Sequence, residues 1–246
     1  MVSRPKDSRL WPIRPEPSSL ILVTGGARSG KSTFAESLAA RLADAGHVTY
    51  LATSETNDPE MATRVAAHRA ARPAAWTTIE CPLEVGAALR AEARPAPHVV
   101  LLDCVTFWVS NLFFAGGELG GTVPEGLGDF SREFIPAEVE RQVGERVDDA
   151  VADLLAALGE TGATLIAVTN EVGLGVVPEY PVARLYRDEL GRVNRRLAAA
   201  AERVYLLVAG LPLEISSLAM PWPATSPSVP SPESPSLREE EKESGS

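Results

Sequence analysis

Gly25, Gly30, Lys31 and Ser32 complete the spacing G-x-x-x-x-G-K-S/T, and each residue type in it suits a task in holding phosphate. Glycine lets backbone N–H groups curl inward around anionic oxygens, where a larger side chain would stand in the way. Gly26, Ala27, Arg28 and Ser29 supply the intervening N–H groups of that cradle. Lys31 carries a positive charge to the outer phosphates, and the Ser32 hydroxyl offers an oxygen to Mg²⁺. A dinucleotide-binding fingerprint fails here, because Ala27 stands where its second glycine belongs. The expected ligand is a nucleoside phosphate.

Such a cradle needs a strand to deliver it and a helix to follow. Leu20 to Val23 is an apolar run that reads as a buried strand, and the alanine-rich Thr33 to Leu42 reads as a helix aimed at the anion. Further strands are expected at His47–Ala52, Trp76–Glu80, Pro97–Asp103, Ala163–Thr169 and Val204–Ala209, with a short edge strand at Leu211–Ile215. Helices are expected from Asp58 (as N-cap) to Ala71, and over Pro82–Ala93, Val105–Phe114, Pro136–Leu158 and Val182–Ala201. This alternation calls for a mostly parallel sheet covered on both faces, with ligands at the carboxyl ends of the strands. Thr53, Asp103, Asn170, Glu171 and Gly210 then gather on the rim that carries the phosphate loop. Asp103 ends its strand as a second Mg²⁺-holding acid would.

The 246 residues are 45% hydrophobic, which is enough to bury one full core, and carry a net charge of −10 that would repel nucleic-acid phosphates. Two cysteines exclude a disulfide framework, and no apolar run approaches the ~18 residues of a membrane span. The N-terminus has no hydrophobic signal region, so a cytoplasmic protein is expected. Residues 1–18 read as a loose extension, 19–220 as one domain with a Gly-rich surface excursion at 115–135, and 221–246 as a disordered Pro/Ser/Glu tail. His47 and His98 precede strands and read as surface residues, and Trp76 reads as packing.

Other stretches add specificity. Tyr50-Leu-Ala-Thr53, Glu60-Met61, Arg64, His68, Arg72-Pro73, Trp76, Thr78 and Glu80 resemble the bifunctional adenosylcobinamide kinase/adenosylcobinamide-phosphate guanylyltransferase family of cobalamin biosynthesis. Val23 to Ser32, Val168 to Gly173, Val177-Pro178, Arg184, Arg187-Asp188 and Gly191 to Asn194 are similar too, so the resemblance covers roughly residues 20–216. It implies a three-layer P-loop NTPase fold with a RecA-like sheet, a homotrimer, and two reactions. A nucleoside triphosphate such as ATP phosphorylates the aminopropanol hydroxyl of adenosylcobinamide. GTP then gives GMP to that phosphate, releasing pyrophosphate and adenosylcobinamide-GDP.

By this resemblance His68 is the nucleophile that carries GMP, Lys31 serves catalysis, and Thr53, Ser54, Glu55, Arg69, Arg72, Glu80 and Asp103 join Gly25–Ser32 around the nucleotide. Ser32 and Asp103 are then the Mg²⁺ ligands. A neutral imidazole is nucleophilic near pH 7, which suits that role. Some relatives carry a second histidine where Ala67 stands, which leaves His68 as the single candidate. No residue identifies itself as the base for the phosphorylation. The alternatives are a small-molecule kinase with the same loop and no covalent intermediate, or a nucleotide-dependent switch protein.

Overall fold

The computed structural model describes residues 18–44, 46–54, 73–95, 98–119 and 134–220. Both terminal extensions (save Ser18), the helix expected from Asp58 and the middle of the Gly-rich excursion lie outside the described residues.

Continuous apolar runs form strands here because a central parallel strand is covered on both faces. The strands are β1 (Leu20–Gly25), β2 (His47–Ala52), β3 (Thr77–Glu80), β4 (His98–Asp103), β5 (Thr164–Val168), β6 (Arg203–Val208) and β7 (Leu211–Glu214). They lie in the order β3-β2-β4-β5-β1-β6-β7, all parallel except β7. β5 therefore separates the phosphate-loop strand from the strand ending in Asp103, as in a RecA-like sheet. The antiparallel β7 follows β6 through Ala209-Gly210, both at positive φ (49° and 80°), as a two-residue hairpin turn requires.

Alternation along each strand sorts the core into two layers. Leu20, Leu22, Val100, Leu102, Leu165 and Ala167 face one cluster. They meet helices α2 (Val85–Ala91), α3 (Val105–Phe114), α4 (Ala137–Thr161) and α5 (Pro181–Ala200). Ile21, Val23, Val99, Leu101, Ile166 and Val168 face the other, against Ala35, Leu38 and Ala39 of α1 (Lys31–Leu42). In α4, Val143, Val147, Val151, Leu154 and Leu158 form the buried stripe, and Gly162 at φ 67° closes the helix by donating to the Leu158 carbonyl. Helix α2 sits so close to α4 that a Cβ on Gly86 would lie 3.1 Å from the Asp153 backbone carbon. Arg90 clamps the same contact by bonding Asp153 (2.7 Å) and Glu160 (2.6 Å).

Three expectations change. Helix α2 starts at Val85 rather than Pro82, because α3 takes the preceding carbonyls: Trp108 Nε1 bonds Leu83 O (2.7 Å) and Asn111 Nδ2 bonds Pro82 O (3.0 Å). His98 is buried, not on the surface; it pairs in register with His47 and its Nε2 lies 3.2 Å from Thr49 Oγ1. The ends of the Gly-rich excursion are anchored, since Leu119 and Ile135 bury against Phe113, Val143 and Val182. Trp76 packs on the core as expected.

Candidate active site

Register across the sheet levels the strand ends. Glu80 pairs with Ala52, Ala52 with Asp103, Asp103 with Val168, and Val168 with Val23, one residue before Thr24. The loops leaving these strands share one rim.

The phosphate loop is shaped by its neighbours. Gly25 holds φ at 147°, and a Cβ there would come within 2.5 Å of the Leu207 carbonyl on β6. Gly30 holds φ at 93°, and Arg28 takes the left-handed region at 56°. The hairpin turn after β6 braces the loop, since Gly210 N–H donates to Ser29 O at 3.1 Å. Gly26, Ala27 and Arg28 are exposed, and Ser29 and Ser32 are half-buried. Among the described residues no side chain caps α1, and its first turn contains no acid. Its leading N–H groups thus face outward for an anion.

Lys31 is buried, with Nζ donating to Gly26 O at 2.5 Å across the loop it follows. Burial lowers its pKa from the ordinary lysine value, while Cys104 and Asp103 pull it back up. Asp103 is half-buried and accepts the Tyr50 hydroxyl at 2.8 Å. Mg²⁺ prefers oxygen donors and takes one or two protein ligands beside phosphates and water. The Ser32 hydroxyl and Asp103 carboxylate fit that set, and no cluster of three or more His, Cys, Asp or Glu competes for the ion among the described residues.

Thr53, expected among the nucleotide contacts, turns its hydroxyl to the backbone of a neighbouring strand end. It is fully buried at the end of β2. Its hydroxyl accepts from Cys104 N–H (2.9 Å) and donates to Cys104 O (2.7 Å), so it holds the residue after Asp103 in place. Ser54 is half-buried beside it, and Glu80 is exposed at the end of β3. Glu55, His68, Arg69 and Arg72 lie outside the described residues. The rim thiols are unsuited to nucleophilic work near neutrality, because burial pushes Cys81 up to about 11 and Cys104 up to about 12.

The sequence places Asn170 and Glu171 on this rim but not the hydrogen bonds that tie them into a polar network beside the loop. Thr169 Oγ1 donates to Asn194 Oδ1 (2.7 Å), and Asn194 Nδ2 donates to Asn170 O (3.0 Å) and Glu171 Oε1 (3.3 Å). Thr24 Oγ1 also donates to Glu171 Oε1 (3.0 Å), while Glu171 N–H bonds Gly25 O (3.2 Å). Its sequence signal is Asn194 itself, a polar residue buried on the apolar stripe of Leu190, Val193 and Leu197.

Residues 21–215 match the family model for cobinamide kinase / cobinamide phosphate guanyltransferase, CobU. The chain belongs to the CobU family. It is similar to the bifunctional adenosylcobalamin biosynthesis protein CobU of Salmonella typhimurium, 45% identical over 80% of this chain and 99% of that protein. The Escherichia coli CobU is 43% identical over 80% of this chain and 99% of its own length. CobP of Pseudomonas aeruginosa is 42% identical over 79% of this chain and 95% of its own. The CobU match runs from the second residue of β1 to just past β7, so the loop, Asp103 and the Asn194 network all fall inside it.

Proposed function

We propose that this enzyme phosphorylates the aminopropanol hydroxyl of adenosylcobinamide with ATP or GTP and then transfers GMP from GTP to that phosphate. The products are adenosylcobinamide-GDP and pyrophosphate. The observation that carries the reading is a complete phosphate loop on the same strand-end rim as Asp103, in a chain matched to CobU from residue 21 to 215.

The geometry supports a division of labour. The loop N–H groups and Lys31 bind the phosphates, and charge that develops in transfer is spread onto them. Mg²⁺ on Ser32 and Asp103 would neutralise phosphate charge. Tyr50 and Thr53 keep Asp103 and Cys104 aligned. His68 attacks the α-phosphorus: an N–P bond forms, the bond to pyrophosphate breaks, and the acceptor phosphate later displaces histidine. Arg69, Arg72, Ser54, Glu55 and Glu80 complete the nucleotide contacts in this reading.

We place the enzyme in the cytoplasm as a homotrimer that does not bind nucleic acid. Its net charge of −10 supports the last point, and among the described residues no helix is long and apolar enough to cross a membrane. The test is a mass spectrum after exposure to GTP and Mg²⁺. One added GMP is expected on the wild type and none on His68→Ala; an unmodified wild type or label on another residue overturns the covalent step.

A further inference from the structure

The phosphorylation needs a group that takes the proton of the attacking hydroxyl, and we propose that Glu171 is that base. This rests on the reading above. Base catalysis by a positioned carboxylate requires hydrogen-bond reach to an oxygen that attacks the terminal phosphate. That phosphate sits over the loop at the end of β1, so the base must belong to an immediate neighbour.

Among the described acids at the strand ends, strand order decides which one qualifies. Glu80 ends β3, four strands from β1, roughly 19 Å away at ~4.8 Å per strand. Asp103 ends β4, two strands away, and serves the Mg²⁺ position. Glu171 follows β5, which pairs with β1 directly, and its own N–H is bonded to Gly25 O. The strand it follows lies between the strand that carries the cradle and the strand that ends in Asp103.

The carboxylate is also aimed. Oε1 takes hydrogen bonds from Thr24, the residue that opens the loop, and from Asn194 on α5. Asn194 is itself oriented by Thr169. Two elements thus fix one oxygen of a half-buried acid at the threshold of the loop, a degree of support that a solvated surface glutamate does not have. The chain then continues into exposed Leu174, Val176 and Val177, an apolar surface beside the acid that suits a bulky, partly apolar acceptor. In the step, the acceptor oxygen bonds the γ-phosphorus, the bond to the bridging oxygen breaks, and the nucleoside diphosphate leaves with that electron pair. The hydroxyl proton passes to the Glu171 carboxylate.

Glu171→Gln and Glu171→Asp separate this role from a structural one in the full-length enzyme. Glutamine keeps an oxygen for Thr24 and Asn194 but cannot take the proton; aspartate keeps a carboxylate and disturbs the hydrogen bonds. With ATP, Mg²⁺ and adenosylcobinamide, Glu171→Gln is expected to lose about 10²–10³-fold in kcat with KM for ATP within about threefold. The ratio of its kinase rate to its rate of guanylylation by α-labelled GTP should fall at least ~30-fold, and Glu171→Asp should retain more kinase activity than Glu171→Gln. Glutamine equal to or better than aspartate, an equal fall in both activities, or a rise in KM with kcat intact overturns the assignment. A wild type that makes no adenosylcobinamide phosphate overturns the functional reading and this one with it; an active wild type matched by Glu171→Gln overturns this one alone.

Discussion

The Tyr50 hydroxyl donates to the Asp103 carboxylate across 2.8 Å, from one parallel strand to the next. Tyr50 is buried, so its phenol presents a fixed donor rather than one that wanders through rotamers. Tyr50→Phe keeps the ring packing and deletes the bond, which costs about 1–2 kcal/mol of stability. Asp103 is then less well oriented. The Mg²⁺ concentration for half-maximal activity should rise several-fold while maximal activity at saturating Mg²⁺ changes little. A metal titration of both reactions checks it, and an unchanged midpoint would remove Asp103 from the metal site.

Lys31→Ala should abolish both activities, because the sequence contains a single phosphate loop and both reactions use triphosphates. Circular dichroism should show an unchanged fold. Guanylyl transfer that survives intact would require a second triphosphate site.

Gly25→Ala meets two obstacles at once, the 147° φ and the Leu207 carbonyl 2.5 Å from the new Cβ. The loop must move away from β6. Nucleotide affinity measured by calorimetry should weaken at least tenfold, with a stability loss of about 1–3 kcal/mol.

His98 links stability to pH. Burial, then the charges of His47 and Arg94, hold its imidazole below the ordinary histidine value, with Glu92 opposing. The unfolded chain takes up a proton near pH ~6.5 that the folded chain resists. The contribution of His98 is therefore complete above that pH and is lost as pH falls toward the folded value. Melting temperatures of His98→Leu and wild type between pH 7.5 and 5 should converge on the acid side. Parallel curves would mean that His98 does not titrate differently on folding.

The sheet was readable because β1, β4 and β5 are buried on both faces, which leaves unbroken apolar runs such as Val99 to Leu102. The loop was readable because its glycines answer to backbone geometry. Long-range side-chain partners were not. Nothing near Thr53 in sequence announces that its hydroxyl closes on Cys104, and the start of α2 depends on Trp108 and Asn111 in the following helix. His98 looks polar until its position inside the sheet is known. The aim of Glu171 depends on Asn194, in a helix further along the chain.

The brace on Gly25 has a consequence for how the protein is made. The loop lies near the start of the chain, yet the carbonyl that crowds it belongs to Leu207 and the N–H that ties it belongs to Gly210. On a ribosome the motif emerges about 10–40 seconds before its supports, at roughly 5–20 residues per second. A nascent chain that has passed Ser32 but not Gly210 holds every residue of the nucleotide motif without its working shape. Competence to bind a triphosphate is thus a property acquired only after β6 has been made and slides in beside β1.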